Sequence, residues 1–315
     1  MNMKAWLMLG VAAAFFGCGT KGGTAQDRPW IDSFPVEKCT QLTTGRNEYF
    51  ILEPGYQIVL ASKKEQVAIT VLDKTEKVNG IETRVIEETE FADGRLKEVS
   101  RNFFTICKEH GDVFYHGEDV DDYKDGKVVG HGGAWRAGVK GARAGLMMPG
   151  KIEVGYRHYQ EVAPGVAMDR AEIVSDAVTI ETPEGEFKKC ARVEETTPLE
   201  KDRCIKVYAP GVGLVLDDDL VIVQHGPGRK PPAAPVEVKE DPSKYLSEVE
   251  IAENEMPAPV AARLKQLHPT GKIKEVKREN HPGGKVIYAI EIMIDGQQWD
   301  VELDPEGKVI VDKKE

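Results

Sequence analysis

Basic charge is in short supply in this sequence. Its 315 residues carry 42 Lys and Arg against 53 Asp and Glu, a net charge of -11. Nucleic acid and anionic lipid both demand a basic footprint, so nonspecific binding to either is excluded as the working role. Long apolar runs are missing too. No internal stretch approaches the roughly 20 residues a helix needs to span a bilayer. Five cysteines contain no C-x-x-C pair, which removes dithiol redox catalysis and zinc knuckles. No serine stands in a Gly-x-Ser-x-Gly elbow, and there is no H-x-H or H-E-x-x-H. The sequence therefore implies no cofactor and no recognisable enzyme class. What remains is ordinary for folded protein: 41% hydrophobic and 7% aromatic residues, in a chain long enough for two domains.

The N-terminus reads as an address. Residues 1–17 have the form of a signal peptide, with Lys4 before an apolar core from Ala5 to Phe16 that is too short for a permanent span. Gly17-Cys18 follows. The segment resembles a bacterial lipobox, although Phe15 stands where that pattern has Leu and Phe16 is bulkier than usual. The resemblance implies cleavage before Cys18, lipid on that cysteine and attachment to a membrane. Residues 18–29 then form a tether. By the same analogy, Gly19 rather than Asp after the cysteine points to the outer membrane.

Export into an oxidising compartment changes how the other cysteines read. Cys39, Cys107, Cys190 and Cys204 suggest two disulfides, with three connectivities open. Cys190 and Cys204 flank a probable chain reversal at Thr196-Thr197-Pro198-Leu199-Glu200. If antiparallel strands flank it, the two face each other, and Cys39–Cys107 follows by elimination.

Residues 30–225 alternate strand-like runs with turn signals and offer no convincing amphipathic helix. Asn79-Gly80, Asp93-Gly94 and Asp125-Gly126 supply the positive φ angles of tight hairpins. The expectation is a mainly β body, an antiparallel meander curled into a half-barrel or sandwich. Residues 226–243 are proline-rich and read as a semi-extended linker. Residues 244–315 predict a small α+β domain. Val260, Leu264 and Leu267 share one helix face, ended by Pro269, and Val286, Tyr288, Ile290, Ile292 and Ile294 line one side of a strand. Trp299, Val301 and Leu303 form a third stripe, so one helix packs on a small antiparallel sheet.

This last segment resembles the PepSY-like domain, including its β-lactamase-inhibitor-like forms. The resemblance rests on Lys272-Ile273-Lys274-Glu275-Val276, Val286-Ile287-Tyr288-Ala289-Ile290-Glu291 and the run from Trp299 to Val309. It implies an exported interaction module and supplies no catalytic residues. The larger part resembles an uncharacterised bacterial secreted β-rich domain through the run Asp112 to Asp121, Met147-Met148-Pro149-Gly150, and Tyr208 to Val215.

Candidate chemistry is sparse. Glu118, Asp119, Asp121 and Asp122 are candidate calcium ligands, but their spacing is not that of an EF-hand, and an acidic hairpin explains them as well. His110, His116, His131 and His158 are near in sequence without a metal-binding spacing. His131-Gly132-Gly133-Ala134 resembles an esterase oxyanion loop but has no serine to serve. Met147 and Met148 either line a binding surface or plug the β core. The reading that results is a non-enzymatic envelope lipoprotein, held to a membrane by its N-terminal lipid. It acts as a binding or interaction module toward an envelope or extracellular protein or peptide, inhibitory toward a hydrolase in one version. The alternatives are a carrier or sensor of an apolar ligand in the β domain, and an enzyme of unrecognised type.

Overall fold

The computed structural model describes residues 28–200, 203–238, 242, 247–281 and 285–314. Residues 1–27, which hold the expected signal peptide, Cys18 and most of the expected tether, lie outside the described residues. The protein is mainly β, as expected. Its strands are β1 (Gln41–Leu42), β2 (Gly45–Asn47), β3 (Phe50–Leu52), β4 (Gln57–Ala61), β5 (Glu65–Val78), β6 (Ile81–Ala92), β7 (Arg95–Cys107) and β8 (Val113–Lys124). Next come β9 (Lys127–Gly130), β10 (Trp135–Arg136), β11 (Arg143–Met148), β12 (Arg157–Tyr159), β13 (Glu161–Val162), β14 (Arg170–Thr182) and β15 (Gly185–Thr196). β16 (Arg203–Ala209), β17 (Gly213–Asp217) and β18 (Leu220–Gly226) complete the body. The C-terminal part has β19 (Ser247–Glu250), α1 (Ala258–Leu267), β20 (Lys272–His281), β21 (Lys285–Ile294), β22 (Gln297–Leu303) and β23 (Val309–Lys314).

The 16-stranded sheet of the body runs β12-β14-β15-β16-β17-β18-β4-β5-β6-β7-β8-β11-β13, with β1, β9 and β10 at its margins. Its two ends belong to one short segment. Residues 157–159 pair with β14 while residues 161–162 pair with β11, and only Gln160 separates them. The antiparallel sheet thereby curls into a nearly closed barrel, further round than the half-barrel expected. Tight turns behave as the sequence predicts: Asn79-Gly80, Asp93-Gly94 and Asp125-Gly126 have φ of 47° and 83°, 49° and 73°, and 51° and 74°.

Alternation along the strands sorts side chains into an inner and an outer face. One end of the barrel is dry. Among the described residues the β2–β3 hairpin pairs with no other strand, and it touches both β7 and β17, two well-separated walls. It delivers Tyr49, Ile51 and Leu52 to a core shared with Val71, Val85, Ile106, Val113 and Met148. Met148 is thus a core plug. The outer side of one margin is covered by the N-terminal segment, where Phe34 and Val36 pack on Phe114, Leu146 and the Cys39–Cys107 pair.

The C-terminal five-stranded sheet, in the order β19-β20-β21-β22-β23, carries α1 on one face. The stripes close as expected: Val260 and Leu264 pack among Ile290, Ile292, Val301 and Leu303. Gly307 has φ +80°, and a Cβ there would meet the Pro259 carbonyl oxygen at 2.7 Å, so the turn before β23 tolerates only glycine against the helix. On the sheet's other face Asp300 and Glu302 meet the outer wall of the barrel. Arg203 Nη2 lies 3.0 Å from Glu302 Oε1 and 3.1 Å from Glu194 Oε2. Arg192 approaches Glu302 at 3.6 Å, and Lys313 pairs with Glu194.

The proline-rich segment lies along the barrel. Arg229 N donates to Gly55 O at 3.0 Å, and Gln57 Nε2 donates to Lys230 O at 2.9 Å. Gln66 donates to Val236 O at 3.0 Å and accepts from Val236 N at 2.5 Å. Two buried glutamines thus fasten the described part of that segment to the outer faces of β4 and β5.

Candidate functional site

The other half of the barrel interior is polar. Ile69 on β5 stands beside Glu88 on β6, Ser100 on β7 and Val120 on β8, and this register fixes the inward face. Glu88 and Glu90 share it on β6, and Glu98, Ser100 and Asn102 share it on β7. On β8 the register slips where Gly117 sits at φ +134°, so that Tyr115 and Glu118 both face Phe104 and Asn102 rather than alternating. A Cβ on Gly117 would lie 2.3 Å from the Trp135 carbonyl oxygen, which reserves the position for glycine.

From the opposite wall come Glu195 on β15 and Cys204, Lys206 and Tyr208 on β16, with Asp217 on β17. β6 and β16 are separated by four strands in the sheet, yet Lys206 and Glu195 act electrostatically on Glu88. The two walls therefore face one another across a lumen. Lys206 Nζ lies 2.9 Å from Glu195 Oε2 and 3.6 Å from Asp217 Oδ2. Gln160, at the seam of the barrel, donates to Glu195 Oε1 at 2.7 Å. Trp135 Nε1 donates to Glu161 Oε1 at 3.3 Å, and Tyr115 donates to Asn102 Oδ1. Tyr115 stacks on Phe104 with centroids 4.5 Å apart and meets the edge of Trp135 at 5.4 Å. The Tyr208 hydroxyl, on a side chain 2% exposed, has no hydrogen-bond partner among the described residues.

Carboxylates crowded into such a space resist ionisation. Burial, reinforced by neighbouring Glu90, Asp217 and Glu195 against the pull of Lys206, pushes Glu88 up to about 7. Burial and the charges of Glu90, Asp122 and Glu88 push Glu98 to about 8. Glu118 also rises to about 8, through burial and Glu88 and Glu98, although its hydrogen bond from Tyr115 opposes this. Glu161 and Asp169 are raised by burial and by other carboxylates. Lys206 is raised as well, which in its case favours the charged form: burial disfavours its ammonium, but Asp217 and Glu195 outweigh that and hold its pKa well above the usual range. The side chains of Lys206 and Asp217 keep 21% and 28% of their surface accessible, so solvent reaches this pair.

The sequence candidates fare unequally. Cys39 and Cys107 form a disulfide. Cys190 and Cys204 are free thiols, which corrects the expected pair. The reversal and the antiparallel strands exist, but Cys204 stands opposite Glu195, five residues beyond Cys190 on β15. That offset is about 17 Å along a strand, far beyond disulfide reach. Glu118, Asp119, Asp121 and Asp122 do not converge on one ion either. Asp119 pairs with Arg136 and Asp121 with Arg101 and His131 on the outer face, while Glu118 faces the lumen. The histidines are equally dispersed: His116 bonds Thr105 at 2.8 Å beneath the outer layer, and His131 sits at Val120 O.

Among the described residues, metal-capable side chains converge in threes at Cys39–Cys107–His110 and Cys204–Asp217–Asp218. The first loses both cysteines to the disulfide. In the second, Asp218 Oδ1 already accepts from Ile205 N at 2.8 Å, and Lys206 sits beside Asp217. A separate groove of about 490 Å³ lies between the β4–β5 turn, which brings Lys63, Lys64 and Glu65 to it, and the proline-rich segment.

Of the lumen groups, sequence reading singled out Glu118, Asp122, Cys204 and the run containing Tyr208. Glu88, Glu98, Glu161, Glu195 and Lys206 sit in alternating strands, where a polar position reads as solvent-facing. No family model matches this chain, and no curated protein matches it.

Proposed function

We propose that the protein is a non-enzymatic binding protein of the cell envelope, anchored through lipid on Cys18, and that the polar half of its barrel is the ligand site. The observation that carries this reading is the meeting of carboxylates from opposite walls around Lys206, with the Tyr208 hydroxyl left without a partner among the described residues. Buried ionisable groups are costly unless matched, and a ligand that matches them offsets the cost. Cys204, the free thiol of the lumen, is poorly suited to nucleophilic chemistry. Burial, together with Asp217, pushes its thiol upward, and it donates to Asp217 at 3.1 Å. In this reading the PepSY-like module is an interaction module that rides on the barrel through Arg203, Glu302 and Glu194. An apolar cargo is the weaker alternative, because hydrocarbon would desolvate Glu88, Glu98 and Glu118 without replacing their lost partners.

The test is lumen occupancy. Trp135 lies in the lumen wall, so its fluorescence in a Trp30→Phe, Trp299→Phe background reports binding there. Apolar, neutral, anionic and cationic small molecules are titrated in turn, with amide shifts of β6, β7 and β16 followed by NMR. Saturable changes at these strands with one class support the reading. No response from any class at millimolar concentration overturns it.

A further inference from the structure

We infer that the lumen's ligand is an elongated organic polycation of the linear polyamine class, an inference that rests on the lumen being the ligand site.

The sign of charge comes first. Lys206 is the cation acting on Glu88, Glu90 and Asp169, and the leading influences on Glu98, Glu118 and Glu161 include other carboxylates and no cation. An anionic or neutral guest would leave that repulsion in place. A cationic guest removes it and draws the carboxylates into their ionised form.

Shape separates a polycation from a metal ion. Calcium takes six to eight oxygens at about 2.3–2.6 Å, which requires carboxylates gathered round one point. No three of the lumen carboxylates Glu88, Glu98, Glu118, Glu161, Asp169 and Glu195 gather in that way. They are instead strung along the barrel. Glu98 stands opposite Asp122, whereas Glu118 stands opposite Asn102, four residues further along β7, or about 13 Å. Several positive charges joined by flexible apolar spacers fit such a row.

The walls supply the remaining contacts. Tyr115 and Trp135 stand next to Glu118 and Glu161 and form an aromatic wall beside that end of the acidic row. Independently of the acidic row, the buried Tyr208 hydroxyl lacks a partner among the described residues and offers an oxygen to an ammonium N–H.

The experiment is isothermal titration calorimetry of the full mature chain with spermidine, at constant ionic strength. Calcium chloride, sodium laurate and a neutral sugar serve as comparison probes. The expected result is saturable one-to-one binding of spermidine, at least tenfold weaker in E118Q/E161Q, several-fold weaker in Y208F, and unchanged in D119N/D121N. The last variant alters outward-facing carboxylates of the same strand and so separates lumen binding from general surface attraction. Circular dichroism checks folding, and E98Q replaces E118Q/E161Q if the double variant fails to fold. Equal loss in D119N/D121N, or no loss in the lumen variants, overturns the inference. So does calcium binding that displaces spermidine stoichiometrically. If laurate or the sugar shifts the lumen amides while spermidine does not, the polycation is wrong and the lumen site stands. If no probe binds, both fall.

Discussion

In the C-terminal sheet, Ile290, Ile292, Val301 and Leu303 turn towards the helix and none is more than 2% exposed, whereas the barrel turns Glu88, Glu98, Glu118 and Glu161 into its own interior. Both are antiparallel sheets built on the same two-residue alternation. The small sheet fills its inner face with hydrocarbon and gains stability from every inward residue. The barrel does so at one end only, under the β2–β3 hairpin, and carries ionisable groups at the other. The difference marks where stability resides and where binding is expected, since a lumen lined by repelling carboxylates gives up stability that a guest can return.

The largest effect should come from the cross-link that holds the barrel's margin. Cys39 and Cys107 are 68 residues apart, and closing such a loop is worth about 4 kcal/mol in the chain-entropy model. Replacing both with serine should lower the melting of the barrel while leaving amide exchange in β20 to β23 nearly unchanged. Equal acceleration in both sheets would mean that they unfold as one body and would break the comparison.

The reciprocal change acts on the dry core. Leu303 is fully buried against α1, so Leu303→Ala should cost about 3 kcal/mol in the C-terminal sheet alone. Hydrogen exchange resolves the two regions. A matching loss of protection in β6 and β7 would contradict separate cores.

Between the two lies the ionic contact of Arg203 with Glu302 and Glu194. Side-chain exposures of 26%, 5% and 10% make it more than a surface pair. A double-mutant cycle of Arg203→Ala and Glu302→Ala, read by thermal melting, should give a coupling of about 1–2 kcal/mol. A coupling near zero would show that the sheet sits on the barrel without ionic fastening.

Much of this comparison can be read in the sequence, though unevenly. Asn79-Gly80, Asp93-Gly94 and Asp125-Gly126 announce their turns because only a few residues accept positive φ. Val260, Leu264, Ile290 and Val301 announce a small helix-on-sheet core because a dry interior leaves an unbroken apolar stripe. Closure of the barrel by residues 157–162 is invisible, since those residues change partner at Gln160 with no composition signal. The lumen is hidden for a different reason: Glu87 and Glu88 read alike, yet Glu87 pairs with Arg101 on the outside and Glu88 faces Lys206 across the interior. The offset between Cys190 and Cys204 is lost in the same way, because a reversal in the chain does not disclose its register.

The smallest effect is also the most specific to the lumen. Glu88, Glu98 and Glu118 titrate near 7, 8 and 8 in the folded protein, against an ordinary value of 4.5. Between those limits the folded chain holds protons that the unfolded chain has released, so stability fully present below about 4.5 is lost as pH rises through 7 to 8. His116 and His158 act in the opposite direction. Burial lowers them to about 4 and about 3 from 6.5, so they stabilise above 6.5 and that contribution is lost as pH falls. Glu194 is lowered by Arg203 and Lys313 despite its burial, and it acts only below 4.5. Above about 7.5 the histidines are neutral in both states, and between 6.5 and 7.5 their residual titration in the unfolded chain is outweighed by the three carboxylates, which therefore set the slope. The melting temperature should therefore fall by a few degrees from pH 6.5 to 8.5, at roughly 2–4 °C per kcal/mol for a body of this size. Glu118→Gln should remove part of the fall, and saturating spermidine should flatten it by pairing the newly ionised groups. A melting temperature that rises across this window would mean that the carboxylates are already charged and matched at pH 6.5, and the contrast between a dry sheet and a frustrated lumen would be lost.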